Sequence, residues 1–244
     1  MASKQPKLIL RESCIDDVIQ HWPAGRFLEM GAGTGYMTRL LLDRGYWGAA
    51  SDLGESSRAM MRSNLADARE RLHVFDDAKE LESESFDYLF AFEVLEHVED
   101  HVEVLKSWTR YLRKGGQALF SVPAHARKYG RSDELVGHVR RYEKTELRHL
   151  LEAAGFERIE IINYGFPLTE ITRRVSNRLV ANDASYDTLD AEQRSIRSAQ
   201  AKPKRVTRLL SLASDRWFTP FRAIQRVFYQ WDWRDGYAGD ALNA

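Results

Sequence analysis

The sequence predicts an α/β fold built on a doubly wound, mostly parallel sheet, with a helical insertion near the C-terminus. Short apolar stretches alternate with amphipathic ones as far as Ile162, which is the order of strands and helices in such a sheet. One stretch, Phe86–Phe92, is nearly all apolar, as expected of a central parallel strand buried on both faces. Beyond Pro167 the strand pattern stops, and the sequence predicts helices with loops.

The strands and helices are predicted from apolar spacing and from turn residues at their ends. The predicted strands are Phe27–Met30, Tyr46–Ser51, Leu72–Phe75, Phe86–Phe92, Gln117–Val122, Phe156–Ile162 and Gly236–Ala241. The predicted helices are Leu10–His21, Thr34 to near Gly45, Ser56 or Ser57 to Ala68, Glu93 or Asp100 to about Leu112, and Tyr142–Ala154. These elements divide the chain into an N-terminal helical segment (1–25), a core (26–166), a helical cap or insertion (167–234) and a last strand (235–244).

Three details of this prediction depend on single residues. Met60 is placed with Met61 on the buried face of the third helix. Lys114-Gly115-Gly116 is assigned to a helix C-cap and turn. The segment Ala124–Val139 is assigned to a polar connector.

The composition is that of an ordinary globular domain. The 36 basic and 36 acidic residues cancel, which argues against a global affinity for nucleic acid or membrane. The single cysteine, Cys14, cannot form an internal disulfide and favours a reducing compartment. With no signal-peptide pattern at the N-terminus and no apolar run of ~18 residues, we expect a cytoplasmic protein.

A glycine loop joins the first strand to its helix. Glycine occupies every second position at Gly31, Gly33 and Gly35, so the backbone can approach a ligand closely above the N-terminus of the helix. A dinucleotide-binding turn needs a third glycine where Tyr36 stands, which disfavours a nicotinamide oxidoreductase. The E-x-G-x-G-x-G pattern from Glu29 to Gly35 instead resembles motif I of the class I S-adenosylmethionine (SAM) methyltransferases.

Further stretches extend this resemblance over residues 27–163. They are FLEMGAGTG, the acid in ASDLGESS, FDDAKEL, SFDYLFAFEVLEHVED, YLRKGGQALFSVP and GHVRRYEKTELRHLLEAAGF. The resemblance, to the small-molecule branch of the family, implies a Rossmann-like fold that binds SAM through Gly31, Gly33, Asp52 and Asp77.

Acidic residues near the ends of successive strands fit SAM. Asp52 can accept both ribose hydroxyl groups, Asp77 and the N–H of Ala78 suit the adenine, and Glu29 can hold the amino acid end. The full set of expected SAM-binding residues is Glu29, Gly31, Ala32, Gly33, Gly35, Asp52, Leu53, Asp77, Ala78, Phe92 and Glu93.

The segment EVLEHVED allows three interpretations. Glu93, Glu96 and His97 would share one helix face and, with His138, could bind a divalent metal ion. Small-RNA terminal 2′-O-methyltransferases and ubiquinone-pathway O-methyltransferases resemble this E-x-x-E-H…H pattern and are metal-assisted. Alternatively, His97 or His138 is a metal-free general base, or the acids begin a helix while His97 packs locally. His101 is expected at the surface.

Gly137–Tyr142 resembles a GH-x-R-R-Y stretch of family members that act on sugars, lipids or other small metabolites. Its Arg140 and Arg141 could hold an anionic group of the substrate or could be solvated. Further along, nine basic residues and one acidic residue lie between Gln193 and Arg226, with aromatic residues interleaved to Trp233. We expect a cap over the active site, ahead of a membrane-contacting surface through 193–233 and, last, an RNA-binding stripe.

The sequence therefore predicts an enzyme that transfers the methyl group of SAM to a small-molecule or lipid-linked acceptor, with oxygen as the favoured nucleophile. The alternatives are a metal-assisted RNA 2′-O-methyltransferase and a non-catalytic SAM-fold binding protein.

Overall fold

The structure is a computed structural model that describes residues 6–166, 169, 219–231 and 240–243. Its centre is a seven-stranded sheet with strand order β3-β2-β1-β4-β5-β7-β6. The strands are β1 Arg26–Met30, β2 Trp47–Ser51, β3 Leu72–Val74, β4 Phe86–Phe92, β5 Leu112–Val122, β6 Ile161–Tyr164 and β7 Asp240–Asn243. The helices are α1 Pro6–Ile19, α2 Tyr36–Asp43, α3 Glu55–Asn64, α4 His101–Thr109, α5 Arg131–Val136, α6 Lys144–Ala153 and α7 Thr219–Trp231.

The predicted doubly wound α/β sheet is confirmed. Strands β1 to β5 pair in parallel, and β1 lies between β2 and β4, so the strand order reverses at β1. The carboxyl ends of these strands meet along one edge of the sheet, which is where ligands bind in such folds. Strand β7 runs antiparallel between β5 and β6.

Apolar side chains cover both faces of the sheet. Alternate residues of a strand point to opposite faces, and accordingly Phe27 and Phe90 pack into one buried cluster while Leu28 and Leu89 pack into the other. Trp22, just after α1, stacks on Tyr88 with ring centroids 5.3 Å apart. Burial on both faces explains why β4 shows no polar alternation in its sequence.

Several predicted boundaries were wrong because local signals were outweighed by tertiary pairing. Lys114-Gly115-Gly116 lies inside β5, where a register shift lets the strand bulge and Gly115 takes a φ of +72°. The connector 124–139 contains α5. Strand β6 begins five residues later than Phe156, at Ile161, where its pairing with β7 begins. The predicted strand Gly236–Ala241 overlaps β7 at its last two residues, and its positions 236–239 lie outside the described residues.

The helices also differ in detail. Of the two predicted starts of the fourth helix, Glu93 is wrong and Asp100 agrees to within one residue. The helix begins at His101, Asp100 is its N-cap and accepts a hydrogen bond from the N–H of Glu103, and a short 3₁₀ turn over Leu95–His97 precedes it. Helix α3 begins at Glu55, so neither Ser56 nor Ser57 is its cap, and Met60 is 44% exposed rather than buried.

Much of the predicted insertion 167–234, and most of the basic stretch within 193–233, lies outside the described residues. Helix α7 is the described part of that stretch, and it packs on α1 and β6 through the buried Gln225, whose side chain bonds to the backbone of Gly165 and Leu10. No helix within the described ranges is long and apolar enough to cross a membrane.

Candidate active site

The glycine loop leaves β1 at the switch point and turns directly into α2. The N–H of Ala32 donates to the carbonyl of Ser51 at 2.9 Å, and the N–H of Gly33 donates to Oδ2 of Asp52 at 2.9 Å. The loop is therefore fastened to the end of β2. Helix α2 begins at Tyr36, two residues later than predicted, with Gly35 as its N-cap at a φ of +87°.

The loop glycines serve different purposes. A Cβ on Gly31 would lie 2.4 Å from Val94, and one on Gly35 would lie 2.7 Å from Leu65, so these two glycines allow close packing within the protein. A Cβ on Gly33 would meet no heavy atom of the described chain within 4 Å. Gly33, with a φ of +56°, is the loop glycine that faces open space above the sheet.

Asp52 and Asp77 lie beyond the carboxyl ends of the adjacent strands β2 and β3. The carboxylate of Asp52 accepts hydrogen bonds from the N–H groups of Gly33 and Gly54, at 2.9 and 3.1 Å. Leu53 beside it is 83% exposed. Asp77 is exposed and accepts from the N–H of Lys79 at 2.9 Å, and the carbonyl of Ala78 accepts from the Tyr111 hydroxyl at 3.0 Å.

Glu29 is buried beneath the glycine loop. Its Oε2 accepts a hydrogen bond from Oγ1 of Thr38, in α2, at 2.7 Å. Burial raises the pKa of Glu29 to about 7, since the hydrogen bond from Thr38 and the charge of Arg11 offset desolvation only in part. The carboxyl is thus balanced between its neutral and ionised forms at neutral pH.

Glu93 follows β4 and has a different environment. It takes a φ of +58°, a conformation that side chains rarely adopt and that is often found at functional sites. Lys7 donates to its Oε2 at 2.8 Å, Ser121 donates to Oε1 at 3.1 Å, and Arg11 lies 3.9 Å away. Burial raises the pKa of Glu93, but Lys7 and Arg11 outweigh burial and lower it to about 2.

Sequence reasoning missed Lys7 and Arg11. They lie four residues apart in α1, so they share one face of that helix and reach the end of β4 together. The i, i+4 spacing of two cations was the available signal, but it does not show which strand end the face meets.

The predicted grouping of Glu93, Glu96 and His97 on one helix face was wrong, because this segment is not a continuous helix. The structure instead brings Glu96 and His97 together with His138: ligand-capable atoms of these three residues lie within 4.8 Å of one another. Glu93 belongs to the pairing with Lys7 and Arg11.

The two histidines form a compact pair. Their ring centroids are 4.8 Å apart with nearly perpendicular planes, and Nε2 of His138 lies 3.6 Å from Oε1 of the fully buried Glu96. Nδ1 of His97 lies 3.0 Å from the carbonyl of Gly137, to which it donates. Burial, with the nearby His138, lowers the pKa of His97 to about 4. His97 is therefore neutral near pH 7, with its lone pair on Nε2.

The expectation that Arg140 and Arg141 are solvated is wrong, because each guanidinium has partners within the protein, whereas a role in holding an anionic group of the substrate stays a prediction. Arg141 bonds to the buried Asp133, and Arg140 donates to the carbonyl of Glu99 at 2.8 Å and to the ring of His101. His101 is correspondingly half-buried and lies 2.8 Å from the Tyr142 hydroxyl, not a free surface residue.

Comparison with known proteins gives a consistent family. Residues 9–161 match the model of a methyltransferase domain. A probable S-adenosylmethionine-dependent methyltransferase of Mycolicibacterium smegmatis is 30% identical over 186 residues, which cover 74% of this chain and 72% of that protein. A ubiquinone biosynthesis O-methyltransferase of Hahella chejuensis is 29% identical over 103 residues, 41% of this chain and 43% of that protein.

Among solved structures, phosphoethanolamine N-methyltransferase 2 of Haemonchus contortus, in complex with S-adenosyl-L-methionine, superposes with a TM-score of 0.57 at 18% identity. The match covers 96% of this chain and 51% of that chain, and it supports the fold. With the glycine loop and the strand-end acids in place, the family match over more than half of the chain gives the conclusion: the chain belongs to the methyltransferase-domain family and is a SAM-dependent methyltransferase.

Proposed function

We propose that this enzyme methylates an oxygen nucleophile of a small-molecule acceptor, with His97 and His138 as the catalytic bases. The observation that carries the proposal is the half-buried imidazole pair beyond the ends of β4 and β5, in which His97 is held neutral. A hydroxyl group must lose its proton as it attacks, whereas the departing thioether is neutral and needs no acid. A neutral imidazole can accept that proton at pH 7.

The cofactor site that we propose comprises the glycine loop with Asp52, Leu53, Asp77 and Ala78. When bound, SAM supplies an electrophilic methyl group on a cationic sulfonium. The protein fits this ligand because Gly33 faces open space and Leu53 exposes an apolar side chain suited to a flat base. Asp52 retains lone pairs beyond the two that accept backbone N–H groups, and these can receive ribose hydroxyls.

The amino acid end of SAM is the third part of the proposed site. Its ammonium suits Glu29, whose ionised form would gain a partner. Its carboxylate suits Arg11, whose charge acts on Glu29 and which lies 3.9 Å from Glu93. Ala32, Gly31, Gly35 and Phe92 complete the proposed set by shaping the loop and the end of β4. The division into a core over 26–166 and a substrate-specific region over 167–234 stays part of this proposal.

A metal-assisted reaction is the second candidate, and the grouping of Glu96, His97 and His138 within 4.8 Å favours it. One carboxylate and two imidazoles are ligands that divalent transition metals prefer. Both histidines would bind the metal through Nε2, since each donates its Nδ1–H to an oxygen atom, as metal-binding histidines usually do with the nitrogen that does not bind the metal. Titration with Co²⁺ followed by visible absorption would test it without any acceptor, with His97→Gln as the variant expected to lose the signal.

Labelled-methyl transfer tests the main proposal. SAM carrying a labelled methyl group is incubated with a cell extract that is then separated into lipid, small-metabolite, nucleic-acid and protein fractions, with and without a chelator. We expect label in small metabolites or lipids, lost at least 100-fold in a His97→Gln, His138→Gln double variant and unchanged in the surface control His149→Gln. Label in RNA, or equal transfer by the double variant, would contradict the proposal.

The cellular location of the enzyme and its contact with membranes also stay predictions. A cytoplasmic protein is expected from the single cysteine. Peripheral membrane contact through 193–233, with a lipid-linked acceptor, is supported by the exposed apolar residues Phe221, Ile224 and Val227 of α7.

A further inference from the structure

We propose that Asp133, paired with Arg141, is a positioning residue that fixes the orientation and tautomer of His138. The inference deepens the proposed function, because His138 is one of its two bases. It rests on contacts within the segment 130–141, most of which the sequence analysis assigned to a polar connector.

Asp133 is the centre of these contacts. Its side chain is 2% exposed, and its Oδ1 accepts from Nδ1 of His138 at 3.0 Å and from Nε of Arg141 at 2.9 Å. Its Oδ2 accepts from the N–H of Gly130 at 2.9 Å. The backbone N–H of His138 also donates to the carbonyl of Asp133, at 2.9 Å. His138 is thus held by the same residue through both its main chain and its ring.

The chemistry of the partners determines the tautomer. An ionised carboxylate accepts hydrogen bonds and cannot donate one, so a neutral imidazole facing it must carry its proton on Nδ1. The lone pair is then on Nε2, whose distance of 3.6 Å from Oε1 of Glu96 is too long for a hydrogen bond. Burying an isolated carboxylate would destabilise the fold. Arg141 supplies the compensating positive charge through a second contact, in which its Nη2 lies 2.8 Å from Oδ1 of Asp133.

Gly137 makes this geometry possible. Helix α5 ends there with a φ of +83°, which reverses the chain and brings residue 138 back over Asp133. The carbonyl of Gly137 accepts from Nδ1 of His97 at 3.0 Å. One segment therefore provides an acceptor for Nδ1 of each histidine, a carboxylate for His138 and a carbonyl for His97. Both Nε2 atoms are left as lone-pair nitrogens.

Nuclear magnetic resonance of the full chain, labelled with ¹⁵N in its histidines, tests the inference directly. Long-range ¹H–¹⁵N correlations distinguish the two tautomers, and the variants His97→Gln and His138→Gln assign the signals. In the wild type at pH 8 we expect both histidines as the Nδ1–H tautomer. His138 found in the Nε2–H form would overturn the inference without any Asp133 variant.

Asp133→Asn is the decisive variant. An amide can offer either an oxygen or an N–H to the ring, so we expect His138 to shift to a mixture of tautomers or to Nε2–H, while His97 keeps its signal. The matched control is Glu134→Gln, which removes the neighbouring carboxylate, bonded to Arg131, and should leave both signals unchanged. An unchanged His138 in a folded Asp133→Asn protein would overturn the inference.

Two further measurements separate this inference from the proposed function. Should Asp133→Asn not fold, Arg141→Gln leaves the carboxylate in place, so we expect His138 to keep its Nδ1–H form, and loss of that form in a folded Arg141→Gln protein would overturn the inference. In the extract assay, we expect Asp133→Asn to lower methyl transfer at least 10-fold with the Kd for SAM unchanged within two-fold. The tautomers are read without an acceptor, so failure of the O-methyl proposal would not alter them.

Discussion

The proposed cofactor side and the proposed acceptor side of the site are built in different ways. The cofactor side uses backbone groups from consecutive elements, with Gly33 and the N–H groups that Asp52 holds in place. The proposed acceptor side uses the half-buried side chains of His97 and His138, from segments that meet only in the fold. From this difference we infer that a cofactor of fixed structure can be bound by main-chain groups. Proton transfer instead needs ring nitrogens that other side chains hold in one orientation.

A second comparison concerns two carboxylates at neighbouring strands, the buried Glu29 in β1 and the half-buried Glu93 just after β4. Glu29 has a neutral hydroxyl as its hydrogen-bond donor and a pKa of about 7, whereas Glu93 has Lys7 as donor and a pKa of about 2. Glu29 is poised to gain a cationic partner, and Glu93 already has one.

The largest loss of SAM affinity is expected from a substitution at Gly33. We expect Gly33→Val to weaken SAM binding at least 100-fold, about 2.8 kcal/mol, because a branched side chain would enter the open space and its φ of +56° disfavours any side chain. Calorimetric titration with SAM measures this.

Gly115→Val is its matched control. Gly115 also has a positive φ and open space around its Cβ position, but it lies in the β5 bulge. Equal loss of SAM affinity in both variants would show that backbone strain, rather than occupancy of the site, is responsible.

The pH dependence of the stability of Glu29→Gln tests the comparison of the two carboxylates. The folded state raises the pKa of Glu29 above its ordinary 4.5, so the stability that this group contributes is complete below pH 4.5 and is lost as the pH rises through 7. The loss amounts to about 3 kcal/mol at most. We therefore expect the free energy of unfolding of Glu29→Gln, measured in urea, to exceed that of the wild type at pH 8.5 and to match it near pH 4.5.

The exposed Glu82→Gln serves as control for the pH experiment and should follow the wild type throughout. A wild-type stability that does not fall between pH 5 and pH 8.5 relative to Glu29→Gln would contradict the raised pKa.

Asp52→Ala gives the smallest of the three effects. Removing a carboxylate proposed to accept ribose hydroxyls should weaken SAM binding by ~1–3 kcal/mol, through lost hydrogen bonds to a charged group. Exposed Asp43, at the end of α2, gives the control Asp43→Ala. SAM affinity equal to wild type in Asp52→Ala would remove Asp52 from the site.

The sequence predicted best those features whose residues are neighbours in the chain. Strand Phe86–Phe92 agrees residue for residue, because burial on both faces leaves a continuous apolar run. The glycine loop was found because its residues adjoin in sequence. Lys7, Arg11 and Asp133 were not found, since a charged residue in a helix has the same local pattern whether it meets solvent or a buried partner. The bounds of β6 and β7 depend on the pairing of these strands with each other and not on the strand propensity of their residues.

That pairing has a consequence for how the chain can vary. Tyr164 at the end of β6 is opposite Asp240 at the start of β7, so the polypeptide leaves the sheet and returns to it at neighbouring positions. Everything between them is topologically the loop of one long hairpin. Doubling the length of such a loop adds only about 0.6 kcal/mol of closure entropy. The chain between these two strands could therefore be lengthened, shortened or replaced in evolution while the strands keep their register.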